Sequence, residues 1–148
     1  MDLVTPGAWQ TTDATADPWA EHRPDPVGCD EDQGLVAEDG GFEVDTGLCA
    51  YASLRQPSLI GVQAGESLDL VVYHNLLWSE ETDAEAHLVV ALGDEVLVEE
   101  HIPIPAEAEV AQYDLVAAQD HVEGEDVWFH LHNHGANTWI FVHLQEAR

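Results

Sequence analysis

The chain reads as an all-β protein, an antiparallel β-sandwich of jelly-roll type. Three observations carry that reading. Roughly eight to ten short segments carry strand-like residue patterns, turn residues separate them at regular intervals, and no strand–helix–strand alternation occurs. The 148 residues suffice for one domain with a single substantial core.

Residues 1–33 form an arm rather than a strand region. Pro6, Pro18, Pro24 and Pro26 fall here, alternation is weak, and two isolated tryptophans, Trp9 and Trp19, mark points where the arm is expected to anchor on the sandwich. From Gly34 to Arg148 the pattern is that of the sandwich domain. Leu35 to Glu38 and Phe42 to Asp45 flank the hairpin turn Asp39-Gly40-Gly41. Tyr51 to Leu54 and Leu59 to Val62 follow, divided by Pro57. Ser67 to Trp78 is the longest strand candidate, with Leu68, Leu70, Val72, His74 and Leu76 on one face. Glu85 to Leu92 and Glu95 to Ile102 are joined at Gly93-Asp94, a second hairpin turn, and Ala108 to Val116 alternates again.

Val127 to Leu144 is the most informative stretch. A two-residue turn at Gly135-Ala136, glycine first as a type II′ turn prefers, makes it a terminal β-hairpin. In that register Val127, Phe129 and Leu131 meet Leu144, Val142 and Ile140 on an apolar core face. The opposite face then gathers His130, His132, His134 and His143 with Trp128, Trp139 and Phe141.

Composition narrows the partners. Only 3 Lys+Arg stand against 30 Asp+Glu, a formal charge of -27. Such a chain repels phosphate backbones and anionic headgroups over a Debye length of roughly 8 Å, so neither nucleic acid nor an anionic membrane surface is expected. Cys29 and Cys49 lack zinc-knuckle spacing and are expected to form a disulfide. That suits a secreted or extracellular protein whose signal peptide is absent from this chain, the alternative being a cytosolic protein with two free thiols.

His130-x-His132 is the sharpest chemical motif. Alternate strand residues point the same way about 6.6–6.8 Å apart, so two imidazoles can converge on one zinc or copper ion, with His143, His74 or His87 as a further ligand. Asp30-Glu31-Asp32 fails the EF-hand spacing, because its sixth position is Leu35 and its twelfth Gly41. A structural calcium near Asp30, Asp32 or Asp45 stays open, against the reading of a solvated loop. No GxSxG motif or phosphate-binding glycine loop is present, and Glu99-Glu100 point to opposite strand faces, so hydrolytic machinery is not legible.

Two resemblances follow. Gly124, five residues, then His130-x-His132 is similar to the first half of the cupin metal motif, although Ala136 and Asn137 stand where that motif wants a glutamate. Gly34 to Leu144 resembles secreted bacterial jelly-roll and carbohydrate-binding-module-like sandwiches, which implies sugar stacking on Trp128, Trp139 and Phe141, with Asn137 hydrogen-bonding hydroxyls. The function expected is a non-catalytic extracellular binding module acting through the histidine and aromatic face, with a glycan or other small ligand as partner. The alternatives are a small cupin-like metalloenzyme and an adhesion or assembly module, and a homo-oligomer stays open.

Overall fold

The computed structural model describes all residues 1–148. Ten strands run in order: β1 (Gln10–Thr11), β2 (Leu35–Glu38), β3 (Gly41–Asp45), β4 (Tyr51–Pro57), β5 (Ser67–His74), β6 (Glu85–Leu92), β7 (Glu95–Pro103), β8 (Glu109–Val116), β9 (Asp126–Asn133) and β10 (Thr138–Glu146). They form two five-stranded antiparallel sheets, β1-β4-β9-β6-β7 and β2-β3-β10-β5-β8. A core of 24 buried residues fills the space between them. The protein is therefore the β-sandwich that its alternation and turns predict.

Both short hairpins form where their turns predict. β2 pairs β3 around Asp39 and Gly40, and β6 pairs β7 around Gly93-Asp94. Gly93 takes φ 57°, the left-handed conformation that favours glycine in such a turn. β5 alternates as expected, with Leu68, Leu70, Val72 and His74 inward, but it ends at His74, and Leu76 is exposed. Leu59 to Val62 is not a strand; only Val62 makes an isolated bridge, to His121.

The terminal hairpin is not present. β9 lies between β4 and β6 in the first sheet, whereas β10 lies between β3 and β5 in the second, so residues 134–137 cross from one sheet to the other. Thr46 holds this crossing: its hydroxyl donates to the carbonyl oxygens of Gly135 (2.5 Å) or Asn137 (3.1 Å) and accepts from the Asn137 N–H (2.8 Å). Phe129 and Phe141 face each other across the core with ring centroids 5.2 Å apart instead of lying on one sheet.

The inward face of β10 also differs from expectation. A β-bulge at Val142 shifts the register between Phe141 and His143, so Trp139, Phe141 and Leu144 point inward, while Ile140 and Val142 are only half-buried. Val127, Phe129 and Leu131 occupy the core as expected.

The N-terminal segment is built into the sandwich. Leu3 is fully buried and its N–H donates to Leu144 O, Trp9 packs on Phe42, Phe129 and Phe141, and β1 adds an edge to β4. The Cys29–Cys49 disulfide then ties the end of this segment to the residues leading into β4. A bridge closing about 20 residues stabilises by roughly 3 kcal/mol in the loop-entropy account, and it suits an oxidising compartment.

Candidate functional site

The outer face of the first sheet carries two rows of side chains set by strand register. Tyr51, His132, His87 and His101 lie in line across β4, β9, β6 and β7. Ser53, His130, Val89 and Glu99 form the next row. Three adjacent strands, β9, β6 and β7, thus deliver four histidines to one face, which sequence alternation within a single strand cannot reveal.

The N-terminal segment lies across these rows, pinned by Asp17. That carboxylate is buried and accepts from Tyr51 Oη (2.5 Å), the Trp19 N–H (2.8 Å) and Arg23 (3.1 Å). Burial alone would raise the Asp17 pKa, but the donors from Tyr51, Trp19, Ser53 and Arg23 outweigh it and hold the carboxyl below its ordinary range. Burial and the hydrogen bond to Asp17 push the Tyr51 phenol up. Pinned this way, Trp19 places its ring 4.9 Å from His130 and 6.0 Å from Trp128.

His130 is consequently sealed. It has no exposed surface, its Nδ1 is 2.7 Å from Ser53 Oγ, and its Nε2 has no partner. Burial, with His87 and His132 nearby, lowers its pKa to about 3, so the ring is neutral at physiological pH. His132 is lowered to about 4, first by burial and then by His134 and His87.

Beyond Trp19 the face opens. His22, Glu85, His87, His101, His132 and His134 line a depression of about 220 Å³ without one apolar side chain. His87 and His101 stack with centroids 4.3 Å apart and planes 13° apart, and His132 and His134 lie 4.4 Å apart. Glu81, Glu85 and Glu99 stand at the rim, within 3.0 Å of His134, 3.2 Å of His101 and 3.3 Å of His87. On the other side of the Asp17 anchor a second depression of about 400 Å³ includes Arg23, Tyr51 and Ser53 in its lining.

The residues expected to act together are divided by the fold. His87, His130 and His132 share this face. His74 is 2% exposed beside Trp139 in the second sheet, with Nδ1 donating to Asn75 O, and His143 lies on the outer face of that second sheet against Asp69. Trp139, Phe141 and Asn137 are buried, the first two in the core and the third in the crossing beside Thr46, so none offers a surface contact. Trp128 is on the functional face but 7% exposed, covered by Trp19 and flanked by Arg55.

The cupin-like spacing therefore places His130 beneath a tryptophan rather than in an open cavity. Asp30 spends its carboxylate capping the single helical turn α1 (Glu31–Gly34), and Asp45 accepts from the Gly47 N–H. Sequence reasoning missed His22 and His101. The first sits in the arm and has no local signal, whereas the second flanks the Gly93-Asp94 turn almost symmetrically with His87.

No family model matches the chain, and no curated protein matches it. Among solved structures it is similar to the N-terminal cellulose-binding domain of Cellulomonas fimi β-1,4-glucanase C, with TM-score 0.53 and 12% identity over 82% of this chain and 87% of that one. The second N-terminal cellulose-binding domain of the same enzyme gives 0.53 and 20% identity, covering 100% of this chain and 95% of that one. A Clostridium thermocellum endo-1,4-β-D-xylanase in complex with xylohexaose gives 0.50 and 13%, covering 99% of this chain but 28% of that one. At these identities the likeness is one of fold: the chain has the β-sandwich architecture of carbohydrate-binding modules.

Proposed function

We propose that the protein is a non-catalytic, extracellular glycan-binding module whose binding surface is the outer face of β4, β9, β6 and β7. The observation that carries this is the depression bordered by His22, His87, His101, His132 and His134 beside Trp19 and Tyr51. Sugar recognition needs planar rings for the C–H faces and neutral donors and acceptors for the hydroxyls, and imidazoles beside a half-buried tryptophan supply both. The low pKa of His132 keeps that ring able to accept as well as donate. The likeness in fold to cellulose-binding domains and the disulfide support the same reading.

Charge selects among glycans. At -27 the chain repels uronic and sulfated polymers, so the ligand is a neutral polysaccharide or its oligosaccharides. Affinity electrophoresis of tag-free protein through gels containing neutral or anionic soluble polysaccharides, with chelator present, tests this. Retardation by a neutral polymer is expected. Trp19→Ala and His132→Ala should reduce it on the order of tenfold in affinity, while Tyr73→Ala, on the outer face of the other sheet, leaves it unchanged. Retardation lost only in the Tyr73 variant would move the site to the other sheet and overturn the proposal.

A further inference from the structure

We infer that His87, His101 and Glu99 form a binding site for one divalent transition-metal ion of the zinc or copper class, at the β6–β7 edge of the histidine face. Antiparallel register makes His87 and His101 direct cross-strand partners, and Glu99, two residues before His101, projects from the same face. One donor atom from each of the three lies within 4.8 Å of the others, and Glu99 Oε2 is already 3.3 Å from His87 Nε2.

Donors bound tetrahedrally at the usual ~2.0–2.1 Å sit roughly 3.4 Å apart. The gap closes by rotating His101 and Glu99, both exposed, while buried His87 stays as the fixed ligand. The support around the trio fits such a site as well. Glu85 Oε1 is 3.2 Å from His101 Nδ1, so it can hold that nitrogen as a donor and leave the other ring nitrogen for the ion, the usual orienting role of a carboxylate behind a ligating histidine. His22 brings a further imidazole from the arm, its ring centroid 5.7 Å from that of His87, and the two line the same depression.

Two nitrogen donors and one carboxylate suit zinc or copper(II), whereas calcium and magnesium take oxygen donors. The site is distinct from the His130-x-His132 pair, since His130 is sealed under Trp19. It stands whether or not the face takes glycan.

Isothermal titration of metal-stripped, tag-free protein with zinc or copper(II) alone tests the assignment. The expected result is saturable binding of one equivalent that calcium and magnesium do not reproduce. His101→Ala, an exposed substitution that spares the core, should weaken it on the order of tenfold or more and Glu99→Gln several-fold, with His143→Ala and His130→Phe unchanged. Melting in chelator confirms that each variant is folded. No saturable binding, uptake of many equivalents without saturation, or binding kept within twofold in His101→Ala would overturn the site. Loss on His134→Ala with retention in His101→Ala would do the same.

Discussion

Burial of His130 makes the fold sensitive to mild acid in a way that can be worked out in advance. Its ring has no exposed surface, its Nε2 has no partner, and its pKa is lowered from 6.5 to about 3. Between those values the unfolded chain binds a proton that the native state refuses. The His130 contribution to stability is therefore complete above pH 6.5 and is lost as pH falls toward 3. At pH 4.5, two pH units below the unfolded value, the loss is about 3 kcal/mol. His132, lowered to about 4, acts in the same direction, with solvent reducing its share.

Relief of the acidic self-repulsion works the opposite way, so the wild type alone does not isolate the effect. The comparison is with His130→Phe, which keeps a ring beneath Trp19 but cannot protonate. Urea unfolding of both proteins at pH 7.5 and 4.5 in chelator gives four free energies. The wild type should lose about 2–3 kcal/mol more than the variant between the two pH values. Equal losses in the two proteins would refute the sealed, neutral state assigned to His130.

Two further substitutions test how the arm is held. Asp17→Asn removes the buried charge that pairs with half-buried Arg23 and anchors Tyr51, so it should cost about 2–3 kcal/mol and speed proteolysis within residues 12–28, read by urea melts and limited digestion; unchanged stability would show that Asp17 does not pin the arm. A Cys29→Ala, Cys49→Ala double variant should lose about 3 kcal/mol, and addition of reductant should destabilise the wild type but not the variant. Identical melts with and without reductant for the wild type would contradict a stabilising bridge.

The sandwich and its two short hairpins were legible because turn chemistry acts locally: Asp39-Gly40-Gly41 and Gly93-Asp94 declare themselves whatever the rest of the chain does. The cysteine pair was legible for the same kind of reason, since few other uses fit its spacing. The β9–β10 relation was not. Alternation states which side of a strand is apolar, but it does not state whether two apolar strands pair edge to edge or face each other across a core.

Bulges hid the rest. The bulge at Val142 reverses the parity of β10, which is why Trp139 and Phe141 are core residues although the unbulged register puts them beside the histidines. A second shift, between Val90 and Ala91, brings His101 opposite His87; without it His87 would face Glu100. A period-two reading has no means of placing an extra residue. Trp9 and Trp19 were correctly expected to anchor the arm, but their different destinations, one at the core and one over His130, depend on contacts far apart in sequence.

The histidines themselves report whether the outer face of β4, β9, β6 and β7 binds glycan. Imidazole resonances of isotopically labelled protein can be followed while a neutral oligosaccharide is added in chelator. Saturable shifts are expected at His22, His87, His101, His132 and His134, with His74, His121 and His143 unmoved, because only the first group borders the open depression. Shifts confined to His143, or none at any histidine with an oligosaccharide that demonstrably binds, would contradict it.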